Sequence, residues 1–161
     1  MNPAKIVIGT ANFGNKYNLK DSRGLRINEI EKILNFAYKN KIRKIDTAQV
    51  YGNSEKILGT FGLKKWKVST KIQLRKKIKD YKSHILSCVN RSLNNLKIDS
   101  LDNLLIHNEL SKFNKKESIE IIDTLKKLKK DKKIKNFGCS IYSPKDLYDS
   151  TKSCNIDIIQ A

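Results

Sequence analysis

Short apolar runs alternate with stretches of helical periodicity along the whole chain. Residues 5–10 form a β-rich run, followed by a loop containing Gly and Asn over 12–26. Ile27, Ile30, Ile33, Leu34 and Ala37 recur at helical spacing, and Asn28 with Glu31 predicts a helix start of capping-box type. A second strand is predicted over 44–48, then a short helix over 54–60 that stops at Gly62. A third strand covers 66–72. The clearest helix follows: Ile78, Tyr81, Ile85, Cys88, Val89, Ser92, Leu93 and Leu96 fall on one continuous face. A fourth strand is predicted over 101–106. Asn114 and Glu117 then open a helix whose face carries Ile121, Ile122, Leu125 and Leu128. A fifth strand covers 134–140. Ser143-Pro144 supplies an N-cap with proline at the first helical position, for a helix that ends before Ser153. Residues 156–160 predict a sixth strand.

Strand–helix alternation, with strand starts roughly 20 to 40 residues apart, implies parallel strands joined by helical crossovers. Periodicity leaves a doubly wound sheet and a barrel both open. The segment from Gly9 to Gly14 does not fit the glycine-rich dinucleotide fingerprint G-x-G-x-x-G, which counts against the doubly wound alternative. At 161 residues the chain reads as one domain, 1–161, large enough for a real core.

Composition adds limits. No apolar run approaches the roughly 20 residues of a membrane span, and the N-terminus lacks the apolar core of a signal peptide. Cys88, Cys139 and Cys154 are odd in number and lack metal-ligand spacing, so they read as reduced thiols of a cytoplasmic protein, with no metal site. The formal net charge is +18, from 34 basic and 16 acidic residues. The excess is mostly lysine spread over every helix, and the dense run over 126–133 sits at a helix end, where cations favour the dipole. Weak adhesion to polyanions is expected from such a charge, but no specific nucleic-acid partner.

Candidate chemistry gathers at strand ends. Asp46 and Tyr51 share the corner between the second strand and the short helix, Lys71 ends the third strand, and His107 follows the fourth. Taken singly, each has a plain structural reading: a turn cap for Asp46, rim packing for Tyr51, a solvated strand-end amine for Lys71, a satisfied buried imidazole for His107. His84 lies within a helix and reads as structural or exposed. Trp66 and Phe137 read as packing residues.

Taken together, these motifs resemble the aldo-keto reductase family. The matching residues are Asp46-Thr-Ala-Gln-Val-Tyr-Gly52 with Ser54-Glu55, then Ser69-Thr-Lys71, then Leu105-Ile-His107. Ile8 to Gly14 resembles the family's first strand and loop, Ile134 to Ser140 its fifth strand, and Ile158-Ile-Gln160 its sixth. The resemblance implies an α/β fold of the parallel (β/α)8 TIM-barrel type, with working residues at the strands' C-terminal ends. It implies an NAD(P)H-dependent oxidoreductase that reduces an aldehyde or ketone, with Tyr51 as general acid, Lys71 and Asp46 tuning it, and His107 orienting the small-molecule carbonyl substrate. Gly9, Thr10, Ser140 and Gln160 match cofactor-binding positions around the nicotinamide, whereas Ile141 stands where the family has asparagine. NADP is the cofactor the resemblance implies, and NAD is its alternative. The residues that grip the pyrophosphate and 2′-phosphate belong to the family's seventh and eighth segments.

Only six strands and five helices can be counted, against eight of each and about 250 residues in a complete barrel. The expectation is therefore an incomplete barrel, truncated before strands seven and eight. Its open edges invite a completing chain or self-association. The alternative function is a non-catalytic remnant or a regulatory nucleotide-binding subunit of the same fold. Loop position alone suggests Phe13, Tyr17 and residues 108–113 as pocket lining.

Overall fold

The structure, a computed structural model, describes residues 2–14, 24–153 and 155–161. Six strands form one parallel sheet in sequential order: β1 (Ile8–Gly9), β2 (Lys44–Asp46), β3 (Lys67–Ile72), β4 (Leu101–Ile106), β5 (Ile134–Ser140) and β6 (Ile158–Gln160). A doubly wound sheet reverses its strand order at a switch point. No reversal occurs among the described residues, and the fold is an incomplete (β/α) barrel, a sheet curled into a half-barrel. The curl is visible in one contact: the Gln160 amide of β6 lies 3.4 Å from the Asp46 carboxylate of β2.

The helices are α1 (Ala11–Gly14), α2 (Ile27–Lys39), α3 (Ser54–Gly59), α4 (Tyr81–Leu96), α5 (Lys115–Lys130) and α6 (Pro144–Ser153). The short α1 departs from the loop expected there, and Tyr17 lies outside the described residues. The cap of α2 sits two residues earlier than expected. Arg26 precedes the helix, and its backbone N–H donates to the Glu29 carboxylate at 2.7 Å. Ile30, Leu34 and Ala37 are buried while Ile27 and Ile33 are exposed, so the inward stripe is narrower than the apolar pattern. On α4, all seven expected face residues from Tyr81 to Leu96 are buried, and the Asp80 carboxylate accepts from the Ser83 N–H at the cap. Ile78 precedes the helix. Asn114 and Glu117 form the expected reciprocal cap of α5, at 3.0 and 2.9 Å.

One apolar core lies between sheet and helices and includes Ile45, Val68, Ile72, Leu104, Ile106, Ile85, Val89, Leu125 and Phe137. Phe13 belongs to this core at 5% exposure, and so does not line a pocket. Cys88 and Cys139 are free and buried, and burial pushes both thiols up from their ordinary value. Among the described residues no helix is long and apolar enough to cross a membrane.

Candidate functional site

The other face of the sheet carries a row of polar side chains among apolar ones such as Leu105 and Ile158. It lines a cleft of about 740 Å³, bordered by Gly9, Asp46, Ser69, Asn103, Asn136 and Gln160 among others. Asp46, Ser69, Asn103 and Asn136 are register neighbours on successive strands. Their side chains form a ladder: Asn103 Nδ2 donates to Ser69 Oγ at 2.7 Å, and Asn136 Nδ2 donates to Asn103 Oδ1 at 3.0 Å. Alternation along a strand sends every second residue to this face, so the cleft with its polar ladder and the apolar core are two sides of the same strands.

At the C-terminal end of this face the sheet brings the strand-end residues together. Lys71 is 2% exposed, and its Nζ donates to Asp46 Oδ2 at 2.6 Å and to the Thr47 carbonyl at 3.1 Å. Asp46 therefore pairs with a cation rather than capping a turn, and Lys71 is buried rather than solvated. The same ammonium lies 5.4 Å from the centre of the Tyr51 ring. Tyr51 meets His107 edge to face, with ring centres 6.2 Å apart at 84°. His107 is fixed by its backbone N–H, which donates to the Ile72 carbonyl at 2.8 Å. Burial, and then the Lys71 charge, holds its imidazole below the usual histidine value, against an opposing pull from Asp46.

The Tyr51 loop is held closely from below. Gly52 follows with φ of 59°, the left-handed region glycine tolerates. Gly14 at the end of α1 lies so near that a Cβ there would collide with the Tyr51 carbonyl and the Ser54 N–H. Thr10 belongs to the same support. Its hydroxyl donates to the Asp46 carbonyl at 3.0 Å and accepts from Ser54 Oγ at 2.9 Å, with the residue fully buried. The structure thus directs the Thr10 side chain into the protein and not to the cleft.

The remaining expected cofactor positions reach the same end. Ser140 and Gln160 are register partners at the tips of β5 and β6. Gly9 borders the cleft, with open space where a side chain would be. Ile141 is buried and offers only its backbone, whose N–H donates to the Gln160 carbonyl at 2.8 Å. Tyr142, which the sequence pattern did not single out, stands exposed beside the site, its hydroxyl donating to the His107 carbonyl at 3.3 Å. Its only sequence signal is its place just after a strand end. In the 108–113 segment, Leu110 and Phe113 are buried, Phe113 edge-on to Tyr81. His84 lies on α4, 3.6 Å from Cys88 Sγ. Trp66 packs against Tyr38, and Phe137 sits in the core, as packing residues do.

A sequence model of the aldo/keto reductase family matches residues 5–161. The fold is similar to a Pseudomonas aeruginosa protein described as an aldo-keto reductase, at 26% identity and a TM-score of 0.77, covering 95% of this chain and 61% of that one. It is also similar to an aldo-keto reductase from Bacillus halodurans (20% identity, TM-score 0.73, 96% of this chain and 52% of that one). A third is an aldo-keto reductase of the silkworm Bombyx mori (19% identity, TM-score 0.68, 93% and 48%). Among curated proteins there is no match. The chain thus spans about six tenths of the length of the Pseudomonas structure. A family match over nearly the whole chain, on a sequentially ordered parallel half-barrel, leads to one conclusion: the chain belongs to the aldo/keto reductase family.

Proposed function

We propose that this chain carries the catalytic side of an NADPH-dependent reductase of aldehydes or ketones, with Tyr51 as general acid. The observation that carries the reading is the buried Lys71–Asp46 pair, with its ammonium 5.4 Å from the Tyr51 ring. A phenol with a pKa of about 10 is a weak acid at neutral pH. A nearby ammonium favours the phenolate and so makes proton donation easier. Asp46 holds the Lys71 ammonium in place at 2.6 Å. His107, neutral near pH 7 because burial depresses its basicity, can donate a hydrogen bond to the carbonyl oxygen.

The residues present fit the nicotinamide end of a cofactor. Ser140 and Gln160 put a hydroxyl and an amide at the same end of the sheet as Lys71, and Gly9 leaves the cleft open beside them. Those three residues would hold the ring amide and its face. When bound, the reduced nicotinamide supplies a hydride to the carbonyl carbon. The new C–H bond sends the carbonyl π pair to oxygen, Tyr51 transfers its proton there, and solvent restores the phenol. The groups that would grip the pyrophosphate are expected on segments seven and eight of the barrel. NADPH binding by this chain alone is accordingly weak.

The test uses a barrel completed with the C-terminal segments of a related reductase. Tyr51→Phe is expected to abolish carbonyl-dependent NADPH oxidation and leave NADPH binding within about twofold, since a phenol-to-phenyl change removes the proton but not the ring. Retention of turnover by that variant would remove Tyr51 as the acid. A completed barrel that binds NADPH and reduces no carbonyl would favour the nucleotide-binding remnant instead.

A further inference from the structure

Tyr51 and Lys71 come from different elements, a loop and a strand, and their relation depends on what ties the two together. One tie is main chain: the Gln49 N–H donates to the Lys71 carbonyl at 3.0 Å. The other runs through side chains behind the sheet, on the face away from the cleft. Glu55, in the first turn of α3, is 3% exposed. Its Oε1 accepts from Thr70 Oγ1 at 2.7 Å and from Ser92 Oγ at 2.8 Å, and its Oε2 accepts from Asn95 Nδ2 at 3.2 Å. Thr70 is the chain neighbour of Lys71. Ser92, fully buried on α4, also accepts from Gln49 Nε2 at 2.7 Å, and the same amide donates to the Cys88 carbonyl at 2.6 Å.

Ser92 is therefore a junction. Through Glu55 and Thr70 it is tied to the strand that presents Lys71, and through Gln49 to the loop that presents Tyr51. These three partners of the Glu55 carboxylate are neutral. Burying a carboxylate among neutral donors costs solvation that an apolar side chain of similar size would avoid, so stability alone does not account for an acid here. A carboxylate can accept several hydrogen bonds at once in a fixed fork, which is what fixing a strand, a loop and a helix relative to one another requires.

We propose that Glu55 and Ser92 are positioning residues for the Tyr51–Lys71 pair, acting through Thr70 and Gln49 and not by touching substrate. The inference rests on the reading of Tyr51 as the acid, and its readout is the ionisation of Tyr51 itself, which needs neither cofactor nor turnover. The tyrosinate absorbance of the 161-residue chain is titrated, and the Tyr51 contribution isolated by subtracting the Tyr51→Phe curve in each background. Lys71→Met is expected to raise the Tyr51 midpoint by about one pH unit, as loss of a neighbouring opposite charge does. Ser92→Ala, which removes a single hydroxyl, and Glu55→Ala are expected to raise it by at least half that shift. Glu55→Gln should restore most of the wild-type value, because its amide oxygen still accepts from Thr70 and Ser92. A midpoint that moves in Lys71→Met but stays at the wild-type value in Ser92→Ala and Glu55→Ala, even with a lowered melting temperature, would reduce both residues to structural roles. An unmoved midpoint in Lys71→Met would bring down the tyrosine-acid reading, and the positioning role with it.

Discussion

Asp46→Ala isolates the buried charge at the centre of the site. The Lys71 side chain is 3% exposed and that of Asp46 17%, and the pair is closed at 2.6 Å. Truncating the carboxylate leaves an ammonium in a nearly dry site, held by the Thr47 carbonyl at 3.1 Å and facing the Tyr51 ring. Removing one partner of such a pair costs about 3–5 kcal/mol, because the remaining charge is neither solvated nor paired. For a chain of this size each kcal/mol moves the melting temperature by about 2–4 °C, so a fall of about 6–20 °C follows. Asp46 has some contact with solvent, which favours the lower part of that range. The assay is urea and thermal unfolding followed by circular dichroism. Asp46→Ala combined with Lys71→Met removes the stranded charge and is expected to recover most of the loss. A single variant within about 1 kcal/mol of wild type would match an exposed pair and refute the claim of a desolvated one.

Further outcomes follow from other contacts. The depressed His107 imidazole means that the unfolded chain binds the proton more readily. His107 therefore costs stability as pH falls from about 7 through the ordinary value of about 6.5, and His107→Asn should flatten that part of the stability–pH curve. Gly14→Ala should destabilise by about 1–3 kcal/mol through collision with the Tyr51 loop, read as a lowered urea midpoint. Asn114→Ala removes the cap of α5 and should cost about 1 kcal/mol in the same assay without changing the Tyr51 titration. Isothermal titration of the 161-residue chain with NADPH should show no tight one-to-one binding, and a sharp stoichiometric isotherm would overturn the assignment of the phosphate grip to segments seven and eight.

Local pattern carried most of the architecture. β4 and β5 fall on their expected residues, and α4 buries the face its periodicity predicts, because in both cases one side of a regular element must leave water. The α2 stripe was less legible. Ile27 and Ile33 flank the buried residues at permissible spacing, and which flank meets the core is decided by packing against other elements. The same limit applies to Phe13, which shape complementarity draws into the core, and to Thr10, whose hydroxyl is claimed by Asp46 and Ser54. Asp46, Tyr51, Lys71 and His107, at strand ends or just beyond them, could be named only jointly, through the motifs that resemble the family. The tie from Glu55 to Ser92 could not. It spans 37 residues and places a polar junction in the apolar face of a helix, where pattern reads serine as filler.

The proposed chemistry is hydride transfer to a carbonyl at the Tyr51–Lys71 end of the sheet. Its most direct test is a completed barrel supplied with NADPH deuterated at the transferring position of the nicotinamide and a panel of aldehydes and ketones, with the products analysed by mass spectrometry. The expected product is an alcohol carrying one deuterium on its carbinol carbon, formed by the parent protein and lost in Tyr51→Phe. A folded, NADPH-binding barrel that yields no labelled alcohol, or yields it equally well without the Tyr51 hydroxyl, would contradict it.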